Sequence, residues 1–179
     1  MSIYIRPYIA EDVQYLAKWN LGPQEWKKWD APYFAKLDDE EMAKKIDLLS
    51  EAIENDELQT FDMNKVIALT KNNQMIGDVS WYWLDETPWP AIGICIYDPK
   101  NWGKGYATEA IALWTKMVFA QLPDIWRIDM ATWSGNVGMM KVAEKVGYTL
   151  EGRFRKARIV DNKYYDSLRY GILREDLGL

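Results

Sequence analysis

The strongest constraint on this chain lies in the run Tyr97-Asp98-Pro99-Lys100-Asn101-Trp102-Gly103-Lys104-Gly105-Tyr106-Ala107-Thr108-Glu109-Ala110. A β-type apolar run enters it and a helical apolar pattern leaves it, so a strand hands over to a helix within a few residues. Glycines at such a junction let the backbone approach a ligand closely, and the first N–H groups of a helix have no partner within it. The amides of Trp102, Gly103, Lys104, Gly105, Tyr106, Ala107 and Thr108 are therefore a candidate phosphate site, with the Lys104 side chain adding a cation. An ordinary strand-to-helix turn also uses glycine, so the flanking sequence has to decide.

Composition removes several function classes. The chain has 179 residues, which fits a single domain over 1–179 with a core that needs no disulfide or metal. A net charge of −5 with no long basic block argues against a nucleic-acid binder and is compatible with cationic amines or basic peptides as partners. Histidine is absent, which removes Ser-His and Cys-His pairs and the usual zinc sites. One cysteine, Cys95, makes no internal disulfide and points to a reducing compartment. No signal pattern and no apolar run of membrane length is present, so the expectation is a cytoplasmic protein without a membrane partner.

The periodicities predict a short strand at Ile3-Tyr4-Ile5-Arg6-Pro7 and a helix from Glu11 to Trp19, then an aromatic loop carrying Trp26, Trp29, Tyr33 and Phe34. A second helix is expected from about Asp38 to Ile53. Strands at Val66–Leu69, Met75–Trp83 and Ala91–Tyr97, joined by short turns, predict an antiparallel meander. The motif helix follows over roughly Gly105 to Ala120, then a strand at Trp126–Thr132 and a helix from Asn136 to Val146 closed by Gly147. Residues 148–150 and 153–160 read as extended, and Asp161-Asn162-Lys163 turns the chain back into a last strand, Tyr164 to Leu173. The fold class is α+β, with a mostly antiparallel sheet and helices on both faces.

With the glycine motif, Ile5-Arg6-Pro7, Glu11-Asp12, Ile76-Gly77-Asp78-Val79, Ile92-Gly93-Ile94-Cys95-Ile96, Asn136, Glu144-Lys145-Val146-Gly147-Tyr148 and Glu151-Gly152 in place, the whole chain resembles the GCN5-related N-acetyltransferases (GNAT). The similarity is to the branch of the ribosomal-protein N-terminal and spermidine acetyltransferases. The resemblance implies a mixed sheet splayed at a cofactor cleft, acetyl-CoA as cosubstrate and no metal. It implies that the backbone of Cys95, Ile96 and Tyr97 pairs with the pantetheine arm like an added strand, and that the pyrophosphate sits on the amides of the glycine motif. Asn136 matches the family asparagine that hydrogen-bonds the cofactor arm, a role compatible with capping its helix. Lys141, one turn on, is either a contact to cofactor phosphates or a solvated surface lysine. Dimers are common in this branch, and nothing in the sequence decides the oligomeric state.

Three departures bear on mechanism. Trp102 stands where relatives carry Gln or Arg, so backbone amides and Lys104 must supply more of the phosphate binding. Met139 and Ala143 stand where relatives place a serine or a tyrosine to protonate the leaving thiolate, which leaves water, the amine's own proton, Tyr148 or Tyr106. Alanine 91 stands where many relatives carry an acid. Acetyl transfer needs a neutral amine, hence a proton acceptor, and by family geometry Asp85 and Glu86 are the candidate bases with Asp78 behind them. Trp29, Tyr33 and Trp83 are candidate walls of an acceptor pocket, although alternation also places Trp83 with Trp81 and Val79 on one sheet face. The expected function is transfer of acetyl from acetyl-CoA to a primary amine in a ternary complex, the amine being a polyamine, an aminoglycoside or a peptide N-terminus. The alternative is a non-catalytic acyl-CoA-binding or sensing protein of the same fold.

Overall fold

The computed structural model describes residues 1–58, 63–84 and 88–179. Seven strands are present: β1 (Ile3–Arg6), β2 (Asn64–Leu69), β3 (Met75–Trp83), β4 (Pro90–Ile96), β5 (Arg127–Trp133), β6 (Thr149–Val160) and β7 (Lys163–Leu173). They form one sheet in the order β1-β2-β3-β4-β5-β7-β6. Every neighbouring pair is antiparallel except β4 and β5, whose parallel pairing is confined to Ala91 opposite Asp129. The predicted meander is therefore β2-β3-β4. The last strands differ from expectation in one respect: residues 149–160 run as a single strand, because register shifts at Leu150/Gly152 and Phe154/Arg158 absorb the break in alternation.

Four α-helices accompany the sheet among the described residues: α1 (Ala10–Asn20), α2 (Asp39–Glu54), α3 (Tyr106–Gln121) and α4 (Val137–Val146). Their limits follow from capping. Asp38 starts α2 with a capping box, its carboxylate accepting from Glu41 N–H at 2.8 Å while Glu41 accepts from Asp38 N–H at 3.1 Å. Asp12 does the same work at α1: it accepts from Ile9 N–H at 3.0 Å and is gripped by Arg6 at 2.6 and 2.9 Å, a buried bidentate pair tying β1 to the helix. Asn136 caps α4 by accepting from Met139 N–H at 3.0 Å.

Period-2 alternation divides the sheet residues between two cores. On one face Ile67, Ile76, Val79, Trp81 and Ile92 meet Ala110, Ile111, Trp114, Val118 and Phe119 of α3 and Ala143 of α4. On the other, Val66, Ala68, Met75 and Tyr97 meet Leu16 of α1 and Ile46 and Leu49 of α2. Trp114 is 1% exposed and its indole N–H donates to the Ser80 carbonyl at 2.9 Å, so it carries both packing and a hydrogen bond into β3. Trp114→Ala should cost about 3–5 kcal/mol in a urea titration.

Asp78 projects onto the second face, directly opposite Cys95 of β4. The Tyr97 hydroxyl donates to its Oδ2 at 2.5 Å, with Tyr8 at 3.5 Å. Burial pushes this carboxyl up to about 6, while the Tyr97 hydrogen bond and the Lys45 charge pull it back and the Asp30 charge adds to the rise. Burial also drives the Tyr97 phenol far above its ordinary range. Because the native carboxyl keeps its proton to higher pH than the unfolded one, its contribution to stability is complete below an unfolded value of 3.8 and is lost as pH rises through about 6. Wild type should lose about 3 kcal/mol relative to Asp78→Asn between roughly pH 4 and pH 7, read from denaturant midpoints. A pH-independent difference would contradict the assignment.

Candidate active site

Beyond Ala91 and Asp129 the two parallel strands part, and a cleft of about 520 Å³ opens between them. Ile92–Ile96 form one wall and Met130–Trp133 the other, with the starts of α3 and α4 at one side and the loop after α1 at the other. The volume suits an extended small molecule.

Which backbone groups face the gap follows from the ladder. Tyr97 N–H donates to the Ile76 carbonyl at 3.1 Å, so its backbone serves β3, and alternation assigns Cys95 and Gly93 to β3 as well. The main-chain groups of Ile92, Ile94 and Ile96 are turned to the cleft instead. Of the trio Cys95, Ile96 and Tyr97, only Ile96 presents its backbone there; Cys95 lines the cleft with its side chain, and Tyr97 is outside the lining and buried on the α1–α2 face. Ile94 is the residue that counting by two from Ile96 would have found. Trp102 has a role that the sequence did not show: its indole N–H donates to the Ile96 carbonyl at 2.7 Å.

The glycine motif forms the mouth of the cleft. Gly103 and Gly105 have φ of 72° and 85°, a left-handed backbone in which a side chain is strained, and open space surrounds both. Gly105 is the N-cap of α3 and offers no side-chain cap; its carbonyl accepts from Glu109 N–H at 3.0 Å. The preceding amides are thus without helical partners. Trp102, Gly103, Gly105, Tyr106, Ala107, Thr108 and Lys141 all line the cleft, joined by Lys145 one turn after Lys141. Lys104 does not; held between two left-handed glycines, it is exposed and outside the lining.

The loop between α1 and α2 closes another side of the cleft. Trp26, Trp29, Asp30, Ala31 and Tyr33 line it, so two of the three aromatics expected near an acceptor, Trp29 and Tyr33, reach the cleft. The third does not: Trp83 shares its face with Val79 and Trp81, stands edge-on to Trp81 at 5.5 Å, and lies outside the lining. The neighbouring Tyr82 points to the acceptor face instead, because side chains alternate along β3. The loop is latched across the gap: the Trp29 carbonyl accepts from Trp133 Nε1 at 3.0 Å and from Asn136 Nδ2 at 3.1 Å. Asn136 is therefore engaged both as a cap and as a tether. Among the described residues Asp30 is the carboxylate that lines the cleft, paired with Lys36 at 2.6 Å, both side chains exposed. Asp85 and Glu86 lie outside the described residues.

Of the groups near the α4 start, Met139 lines the cleft and Ala143 is buried in the core. The Tyr148 hydroxyl is buried against Thr115 Oγ1 at 2.8 Å, which makes it a packing residue. Tyr106 does line the cleft.

Comparison with known proteins agrees with this geometry. The probable N-acetyltransferase YjcK of Bacillus subtilis (strain 168) is 30% identical over 182 residues, covering 98% of this chain and 96% of that protein. The spermidine N-acetyltransferase of Vibrio cholerae, solved with CoA and spermine, superposes with a TM-score of 0.73 at 17% identity, covering 99% of each chain. A ribosomal-protein-S5-alanine acetyltransferase from Vibrio fischeri superposes with a TM-score of 0.72 at 18% identity, covering 98% of this chain and 95% of that one. At those identities the two structures establish the fold and leave the acceptor open. The family profile described as "Acetyltransferase (GNAT) domain" matches residues 2–149, and with it the parted strands and the glycine-led helix have their explanation: the chain belongs to the GNAT family of acetyl-CoA-dependent acetyltransferases.

Proposed function

We propose that this protein transfers the acetyl group of acetyl-CoA to a primary amine held by the loop between α1 and α2. The observation that carries this reading is the pair of open backbone edges: Ile94 and the N–H of Ile96 on the parted strand, and the amides leading into α3 at Gly105. A thioester on a phosphorylated, amide-bearing arm needs hydrogen-bond groups for the amides and N–H groups for the phosphates, and the cleft supplies both. Lys141 and Lys145 add positive charge at the same end. When bound, acetyl-CoA supplies an activated acyl carbon.

The remaining chemistry falls to this chain. The amine arrives protonated and must lose that proton to attack. Asp30 is the cleft carboxylate placed to attract the ammonium and take the proton, directly or through water. Asp78, its carboxyl pushed up to about 6 by burial, lies across the ladder from Cys95 and outside the cleft lining, where it accepts from the Tyr97 hydroxyl. Backbone N–H groups of the parted strand meet the negative charge that builds on the carbonyl oxygen, so no side chain is needed for that task. The N–C bond forms, the C–S bond breaks, and the proton leaving nitrogen balances the one taken up by sulfur. With Met139 and Ala143 unable to donate and Tyr148 engaged, Tyr106 or a cleft water delivers it. Positioning supplies most of the rate.

Gly105→Val tests the cofactor assignment, since a β-branched residue at φ 85° distorts the turn into α3 at a cost of about 1–3 kcal/mol while leaving the core untouched. CoA affinity measured by calorimetry should fall by at least about tenfold, with the variant still folded by circular dichroism. Unchanged affinity would remove the phosphate site. A thiol-release assay with acetyl-CoA over a panel of amines should show turnover with at least one; tight CoA binding without release for any amine would instead identify an acyl-CoA sensor.

A further inference from the structure

Arg158 lies outside the cleft lining but is stacked on one of its walls, Tyr33, and nothing among the described residues answers its charge. Arg158 lies on β6 opposite Tyr165, and an irregular register puts it there: from Phe154 to Arg158 the strand takes four steps while β7 takes two, between Ser167 and Tyr165. The bulge is pinned. Lys156 within it has φ 57° and donates its N–H to Asp166 Oδ1 at 2.9 Å, and Arg153 binds the same carboxylate at 2.6 Å. So anchored, the Arg158 guanidinium stacks 4.5 Å from the Tyr33 ring centre and 5.3 Å from that of Phe34. Tyr33 lines the cleft and meets Trp133, another lining residue, edge-on at 6.3 Å.

Three other arginines of β5, β6 and β7 are paired, Arg127 with Asp129 and Glu151, Arg169 with Asp129 and Arg153 with Asp166, while Arg155 is exposed to solvent. Among the described residues Arg158 has neither an ion pair nor a hydrogen bond, and its Nε is buried without a partner. Stacking does not answer this. The N–H bonds of a guanidinium lie in its plane and radiate past the ring faces, so stacked rings leave all five donors open. In a chain of net charge −5, carboxylates are not scarce, yet none among the described residues pairs with this group.

Resting on the amine acetyltransferase reading, we infer that the acceptor carries a carboxylate near its reacting amine, and that Arg158 binds that carboxylate while Asp30 faces the ammonium. Amino acids, and peptides with an acidic group close to a free N-terminus, have this chemistry. Polyamines and aminoglycosides bring only more positive charge to an unneutralised arginine. Asp30 suits its part because its partner Lys36 is 38% exposed and can yield to another cation.

The test uses CoA-loaded protein and three probes: alanylglutamine amide, which has no carboxylate, alanylglutamine, with one at its C-terminus, and alanylglutamate amide, with one on its side chain. Calorimetric titration should show at least one carboxylate-bearing peptide binding about tenfold or more tighter than the neutral one. Arg158→Gln should erase that preference by weakening the carboxylate-bearing peptides. Equal binding of all three, binding of none, or tighter binding of spermidine would overturn the inference. So would a variant that weakens all three peptides alike, because the arginine would then only be holding the loop. The two readings fail separately. Carboxylate-dependent binding without thiol release from acetyl-CoA would sink amine acetylation and leave the anion site standing. Release with spermidine and no peptide preference would do the reverse.

Discussion

The whole arrangement depends on two parallel strands that pair at one position and then separate. A sheet normally satisfies each N–H and C=O through a neighbour, and a buried group left without one costs free energy. Between β4 and β5 that satisfaction stops after Ala91 and Asp129, and the backbone of Ile94 and Ile96 is left facing a cleft. The antiparallel pairs on either side hold the two halves: β3 engages β4 over seven register positions, and β7 engages β5 over seven. The gap is thus a stable feature of the sheet, open where a ligand with amides of its own can complete the ladder.

What surrounds the gap is fixed from three directions. Behind it, α3 begins at a left-handed glycine and leaves its first amides free. To one side, Asn136 starts α4 and at the same time reaches the Trp29 carbonyl, which Trp133 also binds. One asparagine therefore links the start of α4 to the loop between α1 and α2 across the cleft. Trp102 adds a contact within the cleft by donating to the Ile96 carbonyl, so that of this residue the N–H alone stays open. The buried carboxylates on the acceptor face are answered locally, Asp129 by Arg127 and Arg169, Asp78 by the Tyr97 hydroxyl, so the face carries charge without carrying strain from unpaired acids.

The elements themselves were legible because each rests on local chemistry. Alternation marked β3 and β4, capping residues Asp38, Asn136 and Gly147 marked helix ends, and two glycines marked the turn into α3. Side-chain destinations were less legible. Trp83 read equally as core or pocket wall, and it is neither, since it lies past the last core position at the exposed end of its strand. Lys104 read as a phosphate ligand from its position between the glycines, but the left-handed turns around it leave it in solvent.

From the sequence alone came the α+β class, the strand–glycine–helix junction, the exclusion of histidine chemistry and the family, because these depend on spacings of a few residues or on composition. Only the tertiary structure decided which backbone edges are free, that Asp30 enters the cleft, and that Arg158 stands unpaired beside Tyr33. The physical reason is distance along the chain. Free edges depend on how two strands paired across 38 positions, Ala91 to Asp129, diverge, and Arg158 reaches Tyr33 across 125 positions through a bulge whose register no local pattern announces.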